Sequence, residues 1–173
     1  IVSGSNFIVG IMLARFLGIE AYGLFALGWL VVLCASSVQL ALILNPLYTL
    51  APKLKANSIK DFRSSVILLQ LGFCCLTLLV SFITASLIQH YVLDNKAPEL
   101  YASILPFTAT VFVLYDYIRR SMYLDGFIGR VIFSDLVVYG MQVPFFFFAN
   151  KLGYLDLSSA LIVITGLFSA GVL

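Results

Sequence analysis

AYGLFALGWLVVLCASSVQLALILNPLYTLAP, residues 21–52, runs for 32 residues without a Lys, Arg, Asp or Glu. A second stretch, SSVILLQLGFCCLTLLVSFITASLIQHYVL, residues 64–93, does the same for 30. A helix crossing a hydrocarbon core about 30 Å thick needs about 20 apolar residues, so each stretch can span with residues to spare. Hydrophobic residues make up 62% of the chain and charged residues 10%, against about 25% charge in a soluble domain. There is too little polar surface here to cover a water-soluble core.

Beyond these two stretches, the remaining charges fall in short clusters and leave uncharged blocks at 1–14, 100–115, 136–150 and 157–173, six blocks in all. Barrel strands alternate apolar and polar side chains over about 10 residues. Leu76 to Val80 and Pro144 to Phe148 do not alternate. The blocks therefore read as helices, which satisfy their own backbone groups in lipid. The expected fold is all-α, a polytopic membrane bundle of about six helices at about 1–17, 22–50, 65–88, 101–117, 131–149 and 157–173.

The chain begins at Ile1 inside an apolar block and stops at Leu173 still apolar, which reads as one transmembrane lobe cut from a longer protein. No basic segment with a small-residue cleavage site precedes the first block, which argues against a signal peptide. Cys34, Cys74 and Cys75 lie in apolar blocks without metal-ligand spacing and read as small buried hydrophobes.

Connections are expected at 18–23, 51–64, 90–100 and 150–156, with Asp116 to Asp135 lying along the interface. Basic loops stay in the cytoplasm. Lys53, Lys55, Lys60, Arg63, Arg119, Arg120 and Arg130 fall after the second and fourth blocks, seven against Arg15, Lys96 and Lys151 in the alternate set. The N-terminus is therefore expected inside, in the cytoplasmic (inner) membrane, with Tyr22, Trp29, Tyr91 and Tyr101 as ring anchors on the far side.

Within the helices, Asn6, Gly10, Ala14 and Gly18 share one face and read as a small-residue packing seam; Asn6 could instead face a water-filled lumen. Ser37, Ala41 and Asn45 form a second stripe, with Gln39 on another face. Asn45-Pro46 is the natural kink in a block too long for the bilayer, and Pro46 and Pro144 are the candidate hinges. Arg15 reads as snorkelling to the outer interface, or as a cation at a cavity mouth. Asp116, Arg119 and Arg120 lie within about one helical turn, so an ion pair is expected, and an unpaired guanidinium there could take a phosphate. Candidate substrate contacts are Asn6, Arg15, Gln39, Asn45, Arg119 and Arg120. His90, the single histidine, stands in a loop with neither metal-ligand nor dyad spacing.

No nucleophile elbow, phosphate-binding glycine loop or paired metal-ligand motif is present, so neither an enzyme nor a cofactor or metal is expected, and nothing points to nucleic acid. Sparse, mostly uncharged polar residues suit the passage of a bulky polar cargo better than a chain of buried carboxylates.

Two stretches, ARFLGIEAYGLFAL at 14–27 and DYIRRSMYLDGFIGR at 116–130, resemble the polysaccharide (O-antigen and capsule repeat-unit) flippases of the multidrug/oligosaccharidyl-lipid/polysaccharide exporter superfamily. The first matches that family's turn between helices 1 and 2, carried here by Arg15, Gly18, Tyr22 and Gly23. The second matches its basic connection between helices 4 and 5, carried by Arg119, Arg120 and Arg130. The resemblance implies the N-terminal lobe of a two-lobe exporter, its C-terminal lobe missing from this sequence. It also implies alternating access, with undecaprenyl-pyrophosphate-linked oligosaccharide as cargo and membrane lipids as neighbours. It identifies no sugar-binding residue. Two other functions stand beside it. A cation-coupled multidrug exporter of the same superfamily usually carries an acid in helix 1, and residues 1–17 contain none. A membrane-embedded glycosyl polymerase or ligase calls for a longer external loop than any here.

Overall fold

A computed structural model describes residues 2–54, 56–92 and 99–172. Lys55, Asp94 and Lys96 lie outside the described residues, as do the side chains of Tyr91 and Glu99. Every regular element among the described residues is helical: α1 (Val2–Gln39), a π-helical turn (Leu40–Leu44), α2 (Asn45–Leu50), a 3-10 turn (Ala51–Lys53), α3 (Ala56–Leu87), a second π-helical turn (Ile88–Val92), α4 (Glu99–Leu124), α5 (Ile128–Lys151) and α6 (Leu157–Val172). Four stretches are long and apolar enough to cross a membrane: Gly4–Lys53, Ser58–His90, Tyr101–Leu124 and Ile128–Lys151. α6 is a shorter apolar helix of 16 residues.

The first of these stretches is not straight. Gly18 has φ 78° and ψ 171°, a conformation open essentially to glycine alone. On either side of it the chain doubles back: Asn6, Val9 and Gly10 line the same cavity as Tyr22, Phe25 and Trp29. The expected connection at 18–23 thus shrinks to one residue, with Tyr22 and Gly23 already helical.

α4 is the central element. Tyr101, Leu105, Ala109 and Val113, each four residues from the next, are all fully buried, which is the spacing of one helix face. That face meets the second arm of α1 so closely at Gly28 that a Cβ there would stand 2.8 Å from the Tyr101 hydroxyl and 2.9 Å from Leu105 Cδ1. The Tyr101 hydroxyl donates to the Leu24 carbonyl at 3.1 Å. On its α6 side, the Thr108 and Thr165 hydroxyls meet at 2.7 Å. Gly171 of α6 packs against Tyr115 and Val138, where an added Cβ would come within 2.6 Å of each. The first arm of α1 docks on α5, with Ser5 Oγ donating to the Tyr139 carbonyl at 2.5 Å.

Several expectations are corrected. α3 begins at Ala56, about two and a half turns before the expected start, so Lys60, Asp61 and Arg63 stand on a helix rather than in a loop. α4 runs unbroken to Leu124 and a short turn at 125–127 leads into α5, so no separate interfacial helix occupies 116–135. Asn45-Pro46 does not break its helix. The Asn45 N–H bonds back to the Leu40 carbonyl, a five-residue step that widens the turn just ahead of the proline, whose missing N–H would otherwise leave a gap in the ladder. α5 likewise continues through Pro144.

Tyr101 is fully buried and therefore belongs to the core rather than to an interfacial belt, while Tyr22 and Trp29 are partly buried and line a cavity. Of the three cysteines, only Cys74 is buried. The small-residue strip on the first arm brings no backbones together at Gly10, whose nearest neighbour is the Tyr22 hydroxyl, 3.8 Å from a notional Cβ; close approach occurs instead at Gly28 and Gly171.

Candidate functional site

Polar side chains converge at three places. The first is the end of the bundle where α4 turns into α5. Arg120 Nε donates to Asp116 Oδ2 at 2.8 Å, the spacing of one helical turn. Arg119 stands between two carboxylates, its Nη1 3.5 Å from Asp116 Oδ1 and its Nε 2.7 Å from Asp135 Oδ1. The Nε–H is not aimed along that second line, so the contact is charge pairing rather than a hydrogen bond. Asp135 also accepts from the Tyr115 hydroxyl at 3.0 Å.

Both carboxylates are nearly buried, and removing one partner of such a buried pair costs about 3 to 5 kcal/mol because the other is stranded. The expected ion pair at Asp116 is therefore present as part of a larger, charge-balanced network of two acids and two arginines. The carboxylates engage Arg120 through its Nε and Arg119 through both Nε and Nη1. The same two arginines line a cleft of about 300 Å³ with Tyr48, Tyr123 and Leu124. The Tyr48 hydroxyl donates to the Arg120 carbonyl at 3.4 Å, which fixes one wall. Nearby, Arg63 at the start of α3 forms a bidentate pair with Asp125 in the turn after α4. This brings the segments after α2 and α4 to one end of the bundle, while the Tyr101 to Leu24 bond places the start of α4 near the Gly18 reversal at the other.

The second place is a buried amide junction. Gln39 Nε2 donates to Gln70 Oε1 at 2.9 Å and to the Val113 carbonyl at 2.8 Å, tying α1, α3 and α4 together at the entrance to the first π-helical turn. Gln39 and Gln70 are 0% and 1% exposed. Gln70 Nε2 passes a weak bond on to Cys74 Sγ at 3.4 Å. Gln39 thus ties the helices together through its Nε2, leaves its buried Oε1 without a partner among the described residues, and lines neither the arginine cleft nor the cavity described next.

The third is a cavity of about 320 Å³ between the two arms of α1, α5 and α6. Asn6 reaches it from the first arm and Gln142 from α5. Along the second arm, Tyr22, Phe25 and Trp29 set their rings nearly parallel and offset, at 6.4 Å and 6.0 Å between centroids.

Of the residues singled out in the sequence, Arg119 and Arg120 meet in one cleft and Asn6, itself exposed, borders one cavity. Arg15 and Asn45 face outward, away from both; the Asn45 carbonyl accepts from Thr49 Oγ1 at 2.9 Å. Sequence reasoning missed Asp135, Gln142 and Gln70. Asp135 carried a readable signal, because it is the single charged residue between Arg130 and Lys151 and an ionisable group inside an apolar span has a partner or a function. Nothing local marks Gln142 or Gln70. No family model matches this chain, and no curated protein or solved structure matches it.

Proposed function

We propose that this chain is the first lobe of a membrane transporter that moves lipid-linked oligosaccharide repeat units across the cytoplasmic membrane by alternating access, for cell-surface polysaccharide synthesis. In this reading the bundle makes six crossings, two of them the arms of α1 that meet at Gly18, and the Arg119/Arg120 end is cytoplasmic. The observation that carries the reading is the arginine cleft. Carboxylates fix both guanidiniums, Arg119 by Nε and Nη1 and Arg120 by Nε alone, and the Nη groups of Arg120, in the cleft with Tyr48 and Tyr123, are left to meet an anion such as a phosphate head group. Lys53, Lys60, Arg63 and Arg130 add to the positive field of the same region, and such a field gathers anionic lipid head groups at a membrane surface.

The rival cation-coupled exporter finds less support, since Asp116 and Asp135 are already neutralised by arginine and the first arm of α1 carries no acid.

Arg120 is the discriminating residue, being the more exposed of the pair and holding a single carboxylate that Arg119 also serves. Arg120→Gln is expected to lower the transport of a labelled pyrophosphate-linked sugar about tenfold, one charge-assisted contact of roughly 1.5 kcal/mol. Thermal unfolding in the same bilayer should stay close to the parent. Transport at parental rate in a correctly folded variant would reject the cleft as the head-group site.

A further inference from the structure

We infer that the cavity between the arms of α1 and helices α5 and α6 is a binding site for a neutral sugar ring, with Asn6 and Gln142 as its hydrogen-bonding groups and Tyr22, Phe25 and Trp29 as its apolar wall. Gln142 is 3% exposed, yet its carboxamide has no hydrogen-bond partner among the described residues while it lines the cavity. Its polar atoms are not sealed in the protein like the buried unpartnered oxygen of Gln39 but open onto the cavity, where a group that both donates and accepts, as a hydroxyl does, can bond to them. Asn6, an exposed residue, supplies a second amide at the open edge of the cavity.

The three rings supply the other half of the recognition. Their near-parallel, offset planes, 25° apart for Tyr22 and Phe25 and 13° for Phe25 and Trp29, form a continuous apolar surface on which the C–H face of a pyranose can lie. The volume, about 320 Å³, sits at the small end of the roughly 300 to 1,000 Å³ usual for small-molecule sites. Gly10 keeps it open, because only the Tyr22 hydroxyl lies within 4 Å of a Cβ built there. No Asp, Glu, Lys or Arg lines the cavity. A pyrophosphate or an organic cation would therefore be held without a counter-charge, which is costly away from water.

The sugar would come from the lipid-linked cargo, so its origin rests on the transport reading, whereas binding itself is measurable without transport. Trp29 is the single tryptophan of the sequence, so its emission reports directly on the cavity. The protein in phosphatidylcholine nanodiscs, free of sugar-headed detergent, is titrated with methyl glucoside, methyl galactoside and methyl N-acetylglucosaminide. A saturable emission change is expected with at least one. Gln142→Leu should weaken it at least about tenfold, the scale of one lost buried hydrogen bond. Gly10→Leu, which fills the cavity from the facing arm and leaves both amides in place, should abolish it with the thermal transition retained. No response to any glycoside, an unchanged titration in a folded Gln142→Leu protein, or a response to sodium chloride alone would overturn the site. Glycoside binding without movement of lipid-linked sugar would leave the site standing and remove the transport reading; transport with no emission response would do the reverse.

Discussion

Gly18 and Gly171 need glycine for different reasons. At Gly18 the requirement is backbone conformation: nothing lies within 4 Å of a notional Cβ, but φ is +78°. At Gly171 it is space, since Tyr115 and Val138 already occupy the position. Gly23, helical and with nothing within 4 Å, needs neither. Gly18→Ala is therefore expected to destabilise by about 1 to 3 kcal/mol, while Gly23→Ala should be neutral or stabilise by up to about 1 kcal/mol through helix propensity. Thermal unfolding of both variants in nanodiscs reads the difference, and equal transitions would mean that Gly18 does not carry the reversal. Gly18 was legible in the sequence as a turn. Gly171 was not, because a glycine inside an apolar run says nothing about what faces it.

Among the elements, the junction of α1, α3 and α4 is held by polar contacts within an apolar setting. Helices in lipid gain no hydrophobic drive from meeting each other, so packing and interhelical hydrogen bonds must supply the preference. Gln39 and Gln70 do this where the helix widens ahead of Pro46. Ile43 and Leu44 within the widening and Leu47 just after it are all buried, so the wide turn sets the register of α2 rather than leaving a loose joint. Gln39→Leu and Gln70→Leu are expected to couple: each alone destabilises, and the double variant costs less than their sum by about 0.6 to 1.7 kcal/mol, the range for such bonds in membranes. A double-mutant cycle on unfolding free energies measures it, and strict additivity would show that the two amides act independently. The sequence marked Gln39 as polar within a helix but not its partner, since pairing across 31 positions depends on how two helices are rotated.

For the whole molecule, the decisive property is its solvent. α3 extends about 48 Å at 1.5 Å per residue and turns Leu68 and Leu79, 70% and 62% exposed, away from the bundle. Leu79→Arg is expected to raise the cost of inserting this segment by about 2.5 to 3.5 kcal/mol, seen as a fall in membrane integration in a glycosylation-mapping assay; integration equal to the parent would place that face in water. If the Arg119/Arg120 end is cytoplasmic, as proposed, a reporter joined after Ser64 should be shielded from outside the cell and one joined at Asn95 accessible, and the reverse pattern would invert the topology. Hydropathy and charge counted along the chain were enough to read helices long and apolar enough to cross a membrane, a connection somewhere in 18–23 and positive charge gathered after the second and fourth blocks. It took the packed bundle to reveal that Asp135 meets Arg119 and that Asn6, Gln142, Tyr22 and Trp29 line one cavity. The reason is that lipid-facing and core-facing side chains are equally apolar, so no amphipathic stripe reveals how each helix is rotated about its axis, and only the packing of neighbours sets that rotation.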